Sequence, residues 1–539
     1  AVTMPFTPNI ISQPCRDYDG FTTYGEGEAL SYLLHPASKQ DGKLRNPLIV
    51  MDGFDPADRR NIDRIYADFA PLLPALQQPG RERDLIILNF PRTRRRSDGP
   101  QGTEVRLVDG GADFVERNAL VLVELLSRAK SLMADPNQKI SIIGPSMGGL
   151  ISRYALALME KNYVNSANPA TFQNPYWKHN VDTWFSFDAP HQGANIPLGD
   201  QYFIDYFKGI SEVAADRMTR LNSIAAQQML VSQHFDLNGR YYHVPFMRAL
   251  QANGLPGSFG YPTQVRRVAL ANGRDNGALN SEAGQPGATG LQLDVARTAG
   301  NKRRQFFYRS TTPGTQVAAN MYFSPSAGQR GTVFNGEARV IVAMAKDIAK
   351  RRERKLTSGP QGSYDLAPGG TFDTQRQIQD GVLNGKQLKG FEYRFSNLRP
   401  LHSFIPTVSA LGFQYRTLGD YQGQGQLPNP YTNLSQRALV CADETPFDAY
   451  YAYPTTNGSH VTLDAPAQQF LVRELFGISQ PPRFAPGNPA TLCQSGSTTV
   501  ALQECAPRSG PVTFTWTLAG PAVFTATGTT TASGPALIV

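Results

Sequence analysis

The sequence contains no long apolar run and few cysteines, and each scarcity excludes a class of protein. A helix that crosses a bilayer needs about 20 consecutive apolar residues, and no stretch of the 539 residues comes near this length. Four cysteines are too few for a fold held by disulfides or for a convincing metal site. We therefore expect a soluble globular chain. Cys493 and Cys505 lie close in sequence and would either pair in an exported protein or remain two free thiols.

The N-terminal stretch AVTMPFTPNI lacks an initiator Met, a basic region and an apolar core. It is typical either of the mature end of an exported protein, after removal of the signal peptide, or of a shortened chain. The first alternative predicts a secreted or cell-surface location.

Acidic side chains are outnumbered by basic ones, 44 to 52, which gives a formal charge of +8. Part of the excess lies in RTRRR (92–96) and KRRERK (350–355). Neither cluster has interleaved aromatics or a nucleic-acid-binding pattern around it, so we expect solvated surfaces and no nucleic-acid partner. The second cluster ends a predicted helix over 336–355, where cations suit the negative end of the helix dipole.

Strand-like and helix-like patterns alternate from residue 46 to about 195. Short continuous apolar runs are typical of strands buried in a parallel sheet. They occur as NPLIVMDGF, DLIILNF, KISIIG and VDTWFSFDAP, with QVRRVALANG (264–273) as a fifth. Helical spacing is present in GADFVERNALVLVELLSRAKSLM and MGGLISRYALALMEK. The alternation predicts an α/β fold, a mostly parallel sheet with helices on both faces.

Two insertions interrupt this alternation. An aromatic and Met-rich segment at about 199–260 has helical spacing and predicts a helical lid, and a polar, Gly-rich segment at about 278–400 is the second insertion. Residues 1–480 then form one large domain. A Pro-rich linker at 481–490 leads to the tail 491–539, whose period-2 alternation predicts a small all-β module. At this length the module is short for a complete domain and would be truncated.

The stretch GPSMGG places a serine between a strand pattern and a helix pattern. Residues 144–148 fit the G-x-S-x-G nucleophile elbow, in which small neighbours permit a strained turn that exposes the serine hydroxyl. The alternative is an ordinary turn whose serine caps the helix. Because a strand pattern enters the motif and a helix pattern leaves it, we predict Ser146 as a nucleophile.

A serine nucleophile needs a histidine base that a carboxylate orients. In proteins with this elbow the chain order is serine, acid, histidine. His460, in NGSHV, lies in the loop before a terminal helix pattern, where the base is required; the alternative is a surface histidine. His402 is the other candidate base. His191 comes too early in the chain, and we expect it to line the cleft or to form hydrogen bonds within it.

Two carboxylates are candidates for the acid, and the sequence leaves both open. Asp275 directly follows the fifth strand pattern, in LANGRDNG. Asp448 lies twelve positions before His460, with Asp443 and Glu444 as nearby alternatives. A buried structural aspartate is the competing interpretation of either one.

The oxyanion hole of such a site is formed by two backbone N–H groups. Met147, the residue after the nucleophile, supplies the first. The loop MDGFDP follows an early strand and supplies the second: Gly53 permits a sharp turn, and Phe54 N–H is the predicted donor. Asp52 and Asp55 flank this turn as acceptors that would order the loop.

The pieces GPSMGG, MDGF, DAPHQGA and NGSHV carry a family resemblance. Residues 47–195 and 440–476 resemble the α/β-hydrolase superfamily, specifically its lipase- and esterase-like members with helical lids. Family members commonly have a histidine where this chain has Asp52. They often carry an Asp-Gly-x-Val-Pro acid motif, and in LHSFIPTVSA, the nearest string here, His402 and Ser403 replace the Asp-Gly pair. The tail resembles Ig-like adhesin modules on exported hydrolases of Bacteroidetes-type bacteria.

This resemblance implies a secreted serine hydrolase that cleaves carboxylic esters through an acyl-enzyme, with no metal and no organic cofactor. The aromatic insertion favours an ester with an apolar acyl part, but it equally suits a helical cap that buries its own apolar face. Two alternatives stay open: an amidase or peptidase with the same triad, and a non-catalytic surface-binding protein on a hydrolase scaffold. Surface association is compatible with the tail, and the oligomeric state is left open.

Overall fold

The computed structural model describes most of the chain. The residues it describes are 2–209, 211–237, 239, 241–297, 315–342, 346–385, 391–399, 401–413, 428–437, 439–440, 444–476, 499–501, 515–517, 531–533 and 536–538.

The strands, in chain order, are β1 (Thr3–Pro5), β2 (Ile10–Arg16), β3 (Thr22–Tyr32), β4 (Leu48–Met51), β5 (Leu85–Asn89), β6 (Arg92–Gly99), β7 (Gly102–Asp109), β8 (Ile140–Pro145), β9 (Val181–Phe187), β10 (Arg266–Arg274), β11 (Thr289–Arg297), β12 (Thr315–Tyr322), β13 (Arg330–Val342), β14 (Lys346–Thr357), β15 (Gly369–Phe372), β16 (Phe391–Ser396), β17 (His402–Pro406), β18 (Ala449–Tyr453), β19 (Thr499–Ala501), β20 (Thr515–Thr517), β21 (Thr531–Ser533) and β22 (Ala536–Ile538).

The α-helices are α1 (Ser38–Asp41), α2 (Ile62–Asp68), α3 (Leu73–Leu76), α4 (Val115–Ser131), α5 (Met147–Val164), α6 (Leu198–Phe207), α7 (Glu212–Leu221), α8 (Ile224–Met229), α9 (His243–Ala252), α10 (Thr374–Asn384), α11 (Thr407–Ala410) and α12 (Ala465–Leu475). Short 3-10 turns lie at Ala70–Leu72, Gly110–Ala112, Pro175–Trp177, Tyr364–Leu366 and Leu434–Gln436.

Eleven strands form the central sheet. Nine of them follow the order β18-β10-β9-β8-β4-β5-β3-β6-β7, and β1 and β2 also pair with β3. The strands from β18 to β5 are parallel, whereas β3, β6 and β7 extend the sheet in antiparallel pairing. The five predicted strands are β4, β5, β8, β9 and β10, all in the parallel part. The prediction of an α/β fold with helices on both faces of a mostly parallel sheet is confirmed.

Strand β4 shows why the parallel strands are apolar throughout. Ile49 and Met51 belong to one apolar core, which includes α4 and α5, whereas Leu48 and Val50 belong to a second core with α2 and α12. All four residues are buried, because successive side chains of a strand point to opposite faces of the sheet. A strand covered on both faces therefore needs an unbroken apolar sequence.

Helices α6 to α9 lie between β9 and β10, where the helical insertion is predicted. Helix α6 packs against the strand-rich insertion that follows β10. The ring of Phe203 in α6 lies edge-on to Phe334 of β13, with centroids 6.3 Å apart, and Asp205 pairs with Arg352 of β14 at 2.6 Å. The two insertions thus form one packed layer through α6.

The second insertion contains a five-stranded antiparallel sheet in the order β14-β13-β12-β11-β16. The helix predicted over 336–355 is wrong, because β13 and β14 run through this segment and pair with each other. The residues at 340–342 are Val, Ile and Val, whose branched Cβ atoms favour strands, and pairing with a neighbour overrides helical spacing. Strands β15 and β17 form a separate antiparallel pair.

The tail contributes four short strands in two antiparallel pairs, β19 with β22 and β20 with β21. The linker at 481–490 and the cysteines Cys493 and Cys505 lie outside the described residues. The linker, the disulfide and the Ig-like module therefore stay predictions. Over the part of the chain that the structure describes, no helix is long and apolar enough to cross a bilayer.

Candidate active site

Ser146 lies at the turn between β8 and α5, in a strained backbone conformation. Its φ is 52° and its ψ is −125°, which is costly for a residue with a side chain. A Cβ on Gly144 would come 2.5 Å from the carbonyl oxygen of Gly148, and a Cβ on Gly148 would come 2.8 Å from Met51 Cγ. The two flanking positions therefore admit no side chain, and the turn has the geometry of a nucleophile elbow.

Three side chains from distant parts of the chain form a hydrogen-bonded row. His460 Nε2 lies 2.8 Å from Ser146 Oγ, and His460 Nδ1 lies 2.7 Å from Asp188 Oδ2. The serine is 8% exposed and the aspartate is fully buried. A neutral imidazole that donates from Nδ1 to the carboxylate leaves Nε2 free to accept the serine proton.

Asp188 directly follows β9, and the adjacent strand β10 holds it in place. Its Oδ1 accepts the N–H of Asn272 at 3.0 Å, and its own N–H donates to the carbonyl of Leu270 at 2.6 Å. The residue adopts a left-handed φ of 47°, which aspartate tolerates better than most residues. Both contacts come from the central sheet, so the acid is fixed by the same scaffold that carries the serine.

The prediction of Asp275 or Asp448 as the acid is corrected by this contact, because the carboxylate at His460 Nδ1 is Asp188. Asp448 instead forms an ion pair with Arg267, with 3.0 Å between Oδ1 and Nη2, and its Oδ2 accepts the backbone N–H of the same arginine at 2.8 Å. Asp448 therefore joins β18 to β10 at the start of these strands, as a structural aspartate.

Asp275 lies at the other end of β10. Its N–H donates to the carbonyl of Tyr453, and its own carbonyl accepts the N–H of Leu434 at 2.7 Å. Among the nearby alternatives, Glu444 pairs with Arg437, and residue 443 lies outside the described residues. The chain order is still serine, acid, histidine, as expected, but the acid comes one strand earlier.

The loop that carries His460 is held by the second insertion. The backbone N–H of His460 donates to the carbonyl of Thr371 at 2.8 Å, and the N–H of Thr371 donates to Gly458 at 3.0 Å. Phe404 of β17 lies edge-on to the imidazole, with ring centroids 4.9 Å apart. The strand pair β15–β17 therefore positions the histidine, which the polar composition of this insertion did not indicate.

The loop after β4 lies directly against the serine. A Cβ on Gly53 would be 3.3 Å from Ser146 Cβ, so glycine allows this close approach. The Gly53 N–H donates to Asp52 Oδ1 at 2.9 Å, and the next amide along the loop is that of Phe54. Met147 is the first residue of α5, where N–H groups have no acceptor within the helix. Both predicted oxyanion donors thus belong to segments that border the nucleophile.

The buried carboxylate of Asp52 pairs with the partly exposed Arg60, and this ion pair fastens the loop. Arg60 Nη2 lies 2.6 Å from Asp52 Oδ1 and donates to the carbonyl of Phe54 at 3.3 Å. Burial raises the pKa of the Asp52 carboxyl to about 7, although the Arg60 charge acts to lower it. The second oxygen, Oδ2, is buried without a hydrogen-bond partner among the described residues. One guanidinium therefore bridges the residues on both sides of Gly53.

His402, the alternative base, has other partners. Its Nε2 lies 2.7 Å from Thr374 Oγ1, and its Nδ1 lies 2.9 Å from the carbonyl of Ser403. Both ring nitrogens are thus engaged within the second insertion, and burial lowers the pKa of the imidazole. His402 is not the histidine on Ser146.

His191, which was expected to line the cleft or to form hydrogen bonds within it, is fully buried. Its Nε2 lies 2.6 Å from Ser186 Oγ. Burial, reinforced by the nearby Arg153 charge, holds its pKa well below the usual range, so the ring is neutral. Across the described ranges, no three His, Cys, Asp or Glu side chains are grouped in a way that could hold a metal ion.

A sequence signal for Asp188 was present in VDTWFSFDAP. This segment has the pattern of a buried strand that follows the elbow helix, and its aspartate comes where the strand ends. Because the carboxyl ends of parallel strands meet at one edge of the sheet, a carboxylate there is a neighbour of Ser146. The predicted acid Asp275 follows the next strand, β10, and therefore lies one strand too far along the sheet.

Comparison with known proteins gives one family model and a set of solved structures. A model described as "PGAP1-like alpha/beta domain" matches residues 104–240, a segment that includes the elbow and Asp188. This is about a quarter of the chain. The sequence matches no curated protein.

Solved structures with detectable similarity include three esterases or lipases. A lipase of Bacillus licheniformis in its propeptide form is 14% identical, with a TM-score of 0.24, and the alignment covers 46% of this chain and 39% of that chain. A thermostable carboxylesterase from a metagenomic library is 12% identical, with a TM-score of 0.25 and coverages of 50% and 68%. A Pyrobaculum calidifontis esterase is 12% identical, with a TM-score of 0.24 and coverages of 50% and 64%. The alignment therefore spans less than half of the Bacillus lipase.

The fold follows from the sheet and the elbow. A parallel sheet covered by helices on both faces, a strained serine between strand and helix, and a matched α/β family model agree with one another. The chain therefore has an α/β-hydrolase fold, with a helical insertion before β10 and a strand-rich insertion after it.

Proposed function

We propose that this protein is a serine hydrolase that cleaves carboxylic esters. The observation that carries the proposal is the row of contacts from Ser146 Oγ through His460 to Asp188, with distances of 2.8 and 2.7 Å. A strained, nearly buried serine with a histidine on its hydroxyl and a buried carboxylate behind that histidine is the arrangement that activates a nucleophile. A serine that only capped α5 would need neither partner.

In the first half of the reaction, Ser146 Oγ attacks the ester carbonyl carbon as His460 Nε2 removes the hydroxyl proton. Asp188 stabilises the imidazolium that forms and keeps its Nδ1 proton in place. The negative charge that develops on the carbonyl oxygen is stabilised by the N–H groups of Met147 and Phe54. The tetrahedral intermediate then expels the alcohol, which takes the proton from His460 and leaves an acyl-serine.

In the second half, water replaces the alcohol. His460 removes a proton from the water as the water oxygen attacks the acyl carbon, and the same two amides stabilise the second oxyanion. Collapse of this intermediate breaks the bond to Ser146, returns the proton to its hydroxyl and releases the carboxylic acid. Apart from the ester and water, both halves use only groups of this chain.

An acyl or alcohol part with apolar character suits the surroundings of the site. Phe404, which lies edge-on to His460, is itself packed against Phe372 with centroids 5.2 Å apart, and both rings are partly exposed. Phe54, at the predicted oxyanion position, is also partly exposed. These three rings offer apolar surface beside the reacting groups. Export of the enzyme, and attachment to a surface through its tail, stay predictions from the sequence.

A panel of substrates tests the proposal. Hydrolysis of p-nitrophenyl esters of increasing acyl length is compared with hydrolysis of the matching p-nitroanilides, with folded Ser146→Ala as the control. We expect ester hydrolysis that falls by at least about 10⁴-fold in the control, and little anilide hydrolysis. Comparable rates on anilides would make the protein an amidase. No hydrolysis by folded wild type would favour a binding protein on this scaffold.

A further inference from the structure

The strand β7 forms one edge of the central sheet. Over the described residues it pairs with β6 alone, in a hairpin whose register runs from Arg92↔Asp109 to Gly99↔Gly102. A free edge presents a row of unpaired backbone groups that can bind another strand. Natural proteins commonly protect such edges, so an edge that is also apolar requires an explanation.

The backbone groups of Thr103, Val105 and Leu107 point away from β6. In a hairpin closed by a two-residue turn the closing pair is hydrogen-bonded, and bonded and non-bonded pairs then alternate along the ladder. Counting from Gly99↔Gly102, the pair Arg96↔Val105 is non-bonded. The backbone groups of Arg96 should therefore point towards β3 and not towards β7. In agreement, the carbonyl of Arg96 accepts a hydrogen bond from Thr23 Oγ1 of β3 at 2.8 Å.

The side chains along the same edge are apolar and exposed. Val105 is 65% exposed and Leu107 is 50% exposed, and both lie on one face of β7 with Thr103. The opposite face carries Glu104 and Arg106, whose charged groups lie 3.4 Å apart. The edge thus combines outward hydrogen-bonding groups, exposed apolar side chains and a pair of opposite charges.

We propose that β7 pairs antiparallel with β7 of a second copy of this chain, with Val105 opposite Val105 of the partner. In this register the outward N–H and C=O groups of Val105 form hydrogen bonds with those of Val105 in the second copy. Thr103 lies opposite Leu107 of the second copy. Both are hydrogen-bonded pairs of the new ladder. The central sheets of two copies then join across a two-fold axis, as an isologous dimer requires.

The charges select this register. With Val105 on the axis, each Glu104 faces an Arg106 of the other copy in a non-hydrogen-bonded pair, where side chains come closest. The smallest shift that preserves the hydrogen-bond pattern places Glu104 opposite Glu104 in one direction and Arg106 opposite Arg106 in the other. Like charges directly opposite each other destabilise a sheet. The strand is thus charge-complementary to itself in this register and not in the two adjacent ones, which is why we infer a second copy of this chain as the partner.

Charge-reversal variants test the interface by sedimentation velocity over a range of concentrations. Wild type is expected to shift towards twice the mass of one chain as its concentration rises. Glu104→Arg alone and Arg106→Glu alone are each expected to stay monomeric, because each places like charges opposite each other. The double variant E104R/R106E restores opposite charges and is expected to dimerise again.

A mixture of the two single variants provides the sharpest control. One copy then presents two arginines and the other two glutamates, so every cross-strand pair is complementary, and a mixed dimer is expected where neither variant dimerises alone. This result cannot come from misfolded protein. The proposal is overturned if wild type stays monomeric, if the single variants dimerise as wild type does, or if the mixture and the double variant stay monomeric. The outcome does not depend on ester hydrolysis, so it is separable from the proposed function.

Discussion

Gly370 lies against the carboxylate of Asp188 so closely that no side chain fits between them. A Cβ at residue 370 would come 2.0 Å from Asp188 Oδ2, the oxygen that contacts His460. Gly370 belongs to β15, in the insertion whose strand also accepts the His460 N–H at Thr371. The strand-rich insertion is therefore a part of the candidate site, because it covers the acid and aligns the base.

Substitution of Gly370 by alanine is expected to displace Asp188 Oδ2 from His460 and to lower kcat/KM by about 10²-fold or more, since loss of the orienting contact alone can cost about 10⁴. The measurement is steady-state ester hydrolysis together with circular dichroism. Gly359→Ala is the matched control, because a Cβ there meets nothing within 4 Å. Equal activity of the two variants would show that β15 does not shape the site.

Exchange of the three aspartates distinguishes the acid. Asp188→Asn is expected to reduce kcat by about 10⁴-fold with the fold retained, because an amide favours the wrong imidazole tautomer. Asp275→Asn and Asp448→Asn leave the Asp188 carboxylate at His460 Nδ1 in place and are expected to hydrolyse esters at close to the wild-type kcat. Asp448→Asn is expected to lower the melting temperature through its lost ion pair with Arg267. A large kcat loss in either of these variants, with Asp188→Asn unaffected, would contradict the assignment.

Arg60 is expected to act as a positioning residue, because its guanidinium bridges Asp52 and the carbonyl of Phe54. Arg60→Lys retains the charge, but an ammonium group lacks the planar fork of donors with which the guanidinium reaches both Asp52 and the Phe54 carbonyl. We expect kcat to fall by about 10-fold, less than the 10² to 10³ that follows loss of an oxyanion donor itself, with KM nearly unchanged. Arg59→Lys is the control, since Arg59 is half exposed and pairs with Asp216 on the surface. Equal kcat values for the two variants would exclude this role.

The carboxyl of Asp52 predicts a pH dependence of stability. The pKa of the Asp52 carboxyl is about 7 in the fold and about 4 in the unfolded chain. Between these two pH values, Asp52 is protonated in the folded protein and ionised in the unfolded chain. Its contribution to the free energy of unfolding is therefore fully present below pH 4, decreases up to about pH 7 and is constant above that.

Asp52→Asn removes this titration, and melting temperatures measured from pH 4 to 8 test it. The melting temperature of wild type minus that of the variant is expected to fall between pH 4 and 7 and then to level off. A difference that stays constant, or that grows with pH, would show that Asp52 is ionised in the fold throughout this range.

The parallel strands and the elbow could be predicted from the sequence because local patterns determine them. Strands buried on both faces need unbroken apolar runs, and the elbow needs small residues at fixed spacing, as at Gly144 and Gly148. His460 was predictable because its loop lies between the last strand and the terminal helix. Each of these features is encoded by residues that lie close together in the sequence.

The features that sequence analysis missed depend on contacts between distant segments. The contact of Asp188 with His460 joins residues 272 positions apart, and the support from Thr371 comes from an insertion whose polar sequence suggests no site. The segment 336–355 has helical spacing but forms β13 and β14, because each strand completes the hydrogen bonds of the other. Local secondary-structure propensity does not reveal which distant segments pair with each other.

Labelling with a fluorophosphonate probe tests the central claim, that Ser146 is an activated nucleophile. Wild type, Ser146→Ala and His460→Ala are incubated with the probe, and the labelled peptide is mapped by mass spectrometry. We predict that wild type is labelled on Ser146, that Ser146→Ala takes no label, and that His460→Ala is labelled far more slowly. Folded wild type that takes no label at Ser146, or a His460→Ala variant labelled at the wild-type rate, would contradict the account.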